Sequence, residues 1–258
     1  MLPEKRRCAF CREQKKLSRE HVFPNGVIQK MDEDILSVND KVDKVFKSDL
    51  VVKDVCEACN NGVLSDVDRR FVKIFENNML HPLQPGDNAE FEFDYNDLLR
   101  GLLKISYNSA RASVDGSKAV AALKKYVPYV LGKAESAPEV TLRLQIVTSS
   151  NVFNCKTNKV EGTMDAELLR SCKVSYNGPH HSKFLIRLLA FNSFWFYLFI
   201  PLKPVSASKR KAFIDGFRSS FHLAGVPVLE SMSSISIPKE KTTYMDPSLV
   251  EGMRRGRA

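Results

Sequence analysis

The chain has 258 residues, with 39 Lys and Arg against 30 Asp and Glu, a formal net charge of +9. That length suits one large domain or two small ones, and 43% hydrophobic with 27% charged residues excludes a chain that is disordered throughout. Six cysteines are too few to frame a fold of this length with disulfides, so their spacing carries the information.

The first residues, Met1-Leu2-Pro3-Glu4-Lys5-Arg6-Arg7, turn polar at once and lack the apolar stretch of a secretory signal. A reducing cytoplasm is therefore the expected location. Val51 to Val55 reads as a short strand. From about Asn61 to Asn77, Val63, Leu64, Val67, Phe71, Ile74 and Phe75 recur at helical spacing and give one apolar face. His81 to Asn88 combines two prolines, a glycine and turn formers, and reads as a linker. It divides the chain into a domain at 1–80 and a second at 88–238.

In the second part, Leu98, Leu99, Leu102 and Leu103 place an amphipathic helix over Asn96 to Ala112, and Ala119 to Tyr126 forms another helix ended by Pro128. Val140, Leu142, Leu144 and Ile146 alternate with Thr141, Arg143 and Gln145, the period of a half-buried strand. Lys183 to Ala190 and Phe194 to Leu202 read as two buried strands joined in a hairpin at Asn192-Ser193. The same apolar run contains Arg187 and falls short of the roughly 20 apolar residues of a spanning helix, so no membrane association is expected. Ser206 to Phe221 returns to helical spacing, as a helix packed on that sheet. The residues from 239 to 258 are polar, end in Arg254-Arg255-Gly256-Arg257, and read as a basic tail without fixed structure. The fold class expected is α+β, with an antiparallel sheet in the second domain.

Cys8-x-x-Cys11 and Cys56-x-x-Cys59 are separated by 44 residues. Each knuckle aims two thiolates at one point, and two knuckles complete the tetrahedral four-thiolate shell that Zn²⁺ prefers. Such a site is structural, because four thiolates leave no open position for water or substrate. Between the knuckles lies Glu20-His21, an oxygen donor beside an imidazole whose pKa suits proton transfer near neutrality. Directly after the second knuckle come Asn60 and Asn61. A zinc ion that joins the knuckles brings Asn60 towards Glu20 and His21. Elsewhere the residues read as structural: Asp68 as a solvated carboxylate on the helix face, Cys155 and Cys172 as buried thiols, His180-His181 as a loop pair, and the aromatics from Phe191 to Phe199 as core.

Cys8-x-x-Cys11, Glu20-His21-Val22-x-Pro24 and Cys56-x-x-Cys59-Asn60-Asn61-Gly62 together resemble the HNH endonuclease family, whose ββα-metal motif commonly lies between two such knuckles. The resemblance covers about residues 8 to 75. It implies that His21 deprotonates a water for attack on a phosphodiester, and that Glu20 holds a catalytic Mg²⁺ or Mn²⁺ with Asn60, or its neighbour Asn61, as the other protein ligand. The family's middle Asn is absent from Val51 to Val55, where either Asp54 or the backbone is left to accept the bracing hydrogen bond. The activity so implied is a metal-dependent endonuclease on nucleic acid, duplex DNA first, with an activating protein partner and a role in anti-phage defence, restriction or mobile elements. The alternative is a zinc-stabilised module that binds nucleic acid or protein without catalysis. Charge is uneven: residues 1–80 carry a net +1 and residues 203–258 a net +5, so electrostatic grip on a polyanion is expected mainly from the C-terminal part.

Overall fold

The computed structural model describes residues 7–31, 36–39, 44–47, 50–113, 116–137, 139–154, 156–221 and 225–238. The expected basic tail at 239–258 and Cys155 lie outside them. Helices and antiparallel sheets are mixed, the α+β class expected. Two compact units are present, one of Met1–Ile74 with Asn96–Ala137 and one of Phe75–Tyr95 with Pro138–Ala258.

In the first unit, β1 (Leu17–His21) is followed by a single helical turn, α1 (Asn25–Ile28), and by the paired strands β2 (Leu36–Asn39) and β3 (Lys44–Lys47). β4 (Val51–Cys56) returns antiparallel to β1. Ser18 faces Val55 and Glu20 faces Val52, so β4 has one extra residue between these pairs, a bulge at Lys53-Asp54. The chain then enters α2 (Glu57–Cys59) and, after a wide turn broken at Gly62 (φ −103°, ψ −113°), α3 (Ser65–Asn78). Val67, Phe71 and Ile74 are buried on the apolar face that their spacing predicts.

The helices α4 (Tyr95–Ala112), α5 (Ser117–Lys124) and α6 (Val127–Val130) follow, with Pro128 in the first turn of α6. The linker-based division groups α4 to α6 with the residues that follow them; the structure packs them, apart from Tyr95, with the N-terminal residues. The reason lies in α4. Beyond its leucine face it carries Asp97, Gly101, Lys104, Asn108 and Arg111, spaced by four, three, four and three residues and hence aligned in one stripe. Each member meets the preceding segment. Asp97 pairs with Arg70 at 3.2 Å, Lys104 with Asp68 at 2.8 Å, and Arg111 with Asp54 at 3.3 Å. The backbone of Gly101 rests against the ring of Phe71.

The second unit is built on a five-stranded antiparallel sheet in the order β12-β6-β11-β10-β9, with β6 (Thr141–Ile146), β9 (Leu169–Val174), β10 (Phe184–Phe191), β11 (Phe194–Pro201) and β12 (Val226–Val228). β5 (Ala89–Glu92) pairs with β13 (Ser234–Ile237), and β7 (Ser150–Phe153) with β8 (Val160–Met164). The expected linker is structural here: the Leu83 amide donates to Ser193 Oγ at 2.8 Å, and Gln84 Nε2 donates to Ser149 Oγ at 3.2 Å. The hairpin of β10 and β11 forms as its sequence predicts. Every residue of both strands is buried, and Asn192 turns the chain at φ 50°, a left-handed conformation that asparagine tolerates. α7 (Ala207–Phe221) covers one face, where Phe213 stacks on Phe184 with centroids 4.0 Å apart and Phe217 meets Tyr197 and Phe199 edge-on.

β6 differs from its half-buried expectation. Arg143 and Gln145, its polar alternates, are both buried rather than facing water. An edge strand explains this: Arg143 Nη2 donates to the carbonyl of Gly225, and the Gly225 amide donates to Gln145 Oε1 at 2.8 Å, just where β12 joins β6. Polar alternation thus serves a neighbouring strand instead of solvent. Among the described residues, no helix is long and apolar enough to cross a membrane.

A methyl group at position 101 would lie 2.3 Å from Phe71 Cδ2. Gly101→Ala should therefore destabilise the protein by about 1–3 kcal/mol, despite alanine's higher helix propensity, as a lower urea midpoint would show.

Candidate functional site

The sulfurs of Cys8, Cys11, Cys56 and Cys59 all lie within 4.8 Å of one another. Zn–S bonds of about 2.3 Å in a tetrahedron require S···S edges of about 3.8 Å. Cys11 and Cys56 stand at 3.7 Å. Local backbone builds the cluster. The Arg12 amide donates to the Cys8 carbonyl at 3.0 Å and Arg12 takes φ 67°, turning the first knuckle, while the Cys56 amide donates to Cys8 Sγ at 3.3 Å. Cys56 ends β4 and Cys59 ends α2, so the strand-to-helix corner supplies the second pair.

Burial raises the Cys8 thiol, but the amides of Cys56, Cys11 and Phe10 outweigh it and bring it down to about 7. Burial, and then the neighbouring sulfurs of Cys56 and Cys11, push Cys59 up, and burial also raises Cys11. Four thiols so crowded cannot all ionise without a cation among them, and an ion that binds releases their protons. The donor set fits a divalent metal and is consistent with structural zinc. Cys8, Cys11, Cys56, Cys59 and Cys172 are all free of disulfides.

α4 backs this centre. Phe10, inside the first knuckle, meets Tyr107 edge-on at 5.4 Å, and the Arg111 guanidinium lies over both rings, 5.1 and 4.5 Å from their centroids. Tyr107 Oη donates to the Ala9 carbonyl at 3.4 Å.

His21 is half-buried at the end of β1, and the adjacent Glu20 is 3% exposed. Glu20 Oε1 is paired with Nζ of Lys104, itself 0% exposed, and accepts from Asn108 Nδ2 at 3.4 Å. Asn108 Nδ2 also donates to the His21 carbonyl at 3.0 Å. Asp68 completes the group through Lys104. It is not the solvated carboxylate that its place on the helix suggests: burial pushes its carboxyl up, and the charges of Lys104 and His21 offset only part of that. Breaking one side of such a buried ion pair typically costs about 3–5 kcal/mol, because an uncompensated charge remains.

Asn60, expected beside Glu20 and His21, bonds instead to the preceding residues of the same strand. Its Nδ2 donates to Ser18 Oγ at 3.0 Å and to the Arg19 carbonyl at 2.7 Å. Asn60 and Asn108 therefore brace this strand, whereas Asp54, one of the two acceptors expected to do so, turns to Arg111. Asn61 is exposed. The divalent ion implied for Glu20 and Asn60 does not fit the donors as they stand: the Glu20 carboxylate is buried and already neutralised by an internal ammonium. Among the described residues, the four cysteines are the one group of three or more His, Cys, Asp or Glu placed to hold an ion.

Lys104 and Asn108 lie far outside the segment between the knuckles, and sequence reasoning passes over them. Their signal is the polar stripe at heptad-like spacing inside an otherwise leucine-rich helix. No family model, curated protein or solved structure matches the chain.

Zinc analysis of the purified chain should give one ion per molecule. Cys56→Ser should lose that ion and lower the melting temperature, and a strong chelator should do the same to the wild type.

Proposed function

We propose that the first unit is a phosphodiesterase of the HNH type, an endonuclease acting on nucleic acid, with duplex DNA as its first expected substrate. The observation that carries this reading is the position of His21. It ends a strand whose antiparallel partner runs into the cysteine cluster and then a helix, a strand–strand–helix order with the cluster at its corner. In this reading the imidazole takes the proton of the attacking water, and Asn60 and Asn108 keep its strand in place through the carbonyls of Arg19 and His21. The exposed amide of Asn61 is open to a phosphate oxygen. Glu20 serves the scaffold through Lys104. The net +5 over residues 203–258 supplies the charge to retain a polyanion.

A second reading is a zinc-stabilised module that binds nucleic acid or a protein partner without cleaving. The buried pairing of Glu20 with Lys104 favours it, since that carboxylate is withdrawn from solvent.

Plasmid nicking by the purified protein, with Mg²⁺, with Mn²⁺ and with neither, separates the two readings. Wild type should nick, and His21→Ala should lower the rate by at least about a hundredfold while keeping its zinc. Equal cleavage by His21→Ala removes His21 as the base, and DNA retention without cleavage under every condition supports the binding module.

A further inference from the structure

The proposed hydrolysis leaves one buried charge without a task. Lys104 is 0% exposed in the middle of α4, yet its ammonium reaches Glu20 Oε1 on β1 and Asp68 Oδ2 on α3, the latter at 2.8 Å. Lysine is almost never buried this fully unless its charge is paired. Here two carboxylates from separate elements converge on one ammonium, and Asn108, one helical turn further on, fixes Glu20 Oε1 and the His21 carbonyl together. Two carboxylates around one positive centre is the arrangement a divalent ion would otherwise complete.

We propose that Lys104 is the resident cation of this site, a positioning residue whose ammonium takes the place of a divalent ion between Glu20 and Asp68 and so fixes the strand end that presents His21. The inference deepens the reading of His21 as the base, but its test does not depend on cleavage. A metal ion approaching Glu20 meets a fixed positive charge within hydrogen-bond distance of the same carboxylate. Repulsion at that range, little screened by solvent, disfavours a second cation.

The test uses the zinc-loaded full chain and Mn²⁺ as the probe, with free Mn²⁺ followed by its paramagnetic resonance signal. Lys104→Met keeps the side-chain volume and removes the charge, whereas the double variant Glu20→Gln with Lys104→Met removes both members of the pair. Lys104→Met should bind one additional Mn²⁺ at least about tenfold more tightly than wild type, because the carboxylates have lost their cation. The double variant should return to wild-type affinity. Stronger Mn²⁺ binding by wild type than by the double variant makes Glu20 a metal ligand and overturns the proposal, as does a folded Lys104→Met protein with no gain. If Lys104→Met does not fold, the comparison of wild type with the charge-balanced double variant decides alone. A wild type that cleaves nothing leaves this result standing, and Glu20-dependent Mn²⁺ binding by wild type sinks the inference while His21 remains the base.

Discussion

Four sulfurs held within 4.8 Å of one another set the condition that the first unit must meet. Thiolates at that separation would repel, and a divalent ion held by the four sulfurs would join residues 8–11 to residues 56–59. The two ends of the 44 intervening residues meet at this cluster, and β1 and β4 pair beside it, with Leu17 opposite Cys56. Because Cys56 ends β4 and Cys59 ends α2, the cluster draws its second pair from a strand end and the helical turn that follows it. The position of Asn60 beside the Ser18 hydroxyl and the Arg19 carbonyl follows from that corner.

The second condition comes from burial. Inside the first unit, Glu20 and Lys104 are almost wholly removed from water, and neither is tolerable alone. Each fixes the other, Asp68 holds Lys104 and Asn108 holds Glu20. Such a set contributes specificity of arrangement more than net stability, since hydrophobic residues of equal volume often stabilise as well. It also explains why α4 packs with the cysteine centre despite its distance in sequence: its polar stripe finds complementary charges on that segment, at Asp54, Asp68 and Arg70. The aromatic contact of Phe10 with Tyr107, capped by Arg111, ties the same helix to the first knuckle.

Local pattern is legible where neighbours in sequence decide the outcome. The strand at Val51, the helices at 65–78 and 95–112, and the hairpin turning at Asn192 all follow from apolar period and turn chemistry, which act over a few residues. The pattern misleads where a distant segment supplies the partner. Arg143 and Gln145 look solvent-facing by alternation, yet they bond to Gly225 some 80 residues on. Asp68 looks like a surface carboxylate until Lys104 arrives from α4.

The sequence by itself determined the four-cysteine cluster, because two CxxC spacings constrain ligands through covalent geometry alone, and it determined the α+β class through periodicity. Only the tertiary structure decided what surrounds Glu20 and His21. The spacing that suggests a carboxylate open to a metal says nothing of a lysine 84 residues later in the chain. Burial and charge pairing are properties of residues brought together by the fold, and an ammonium placed against a carboxylate changes its chemistry without leaving a mark on the local sequence.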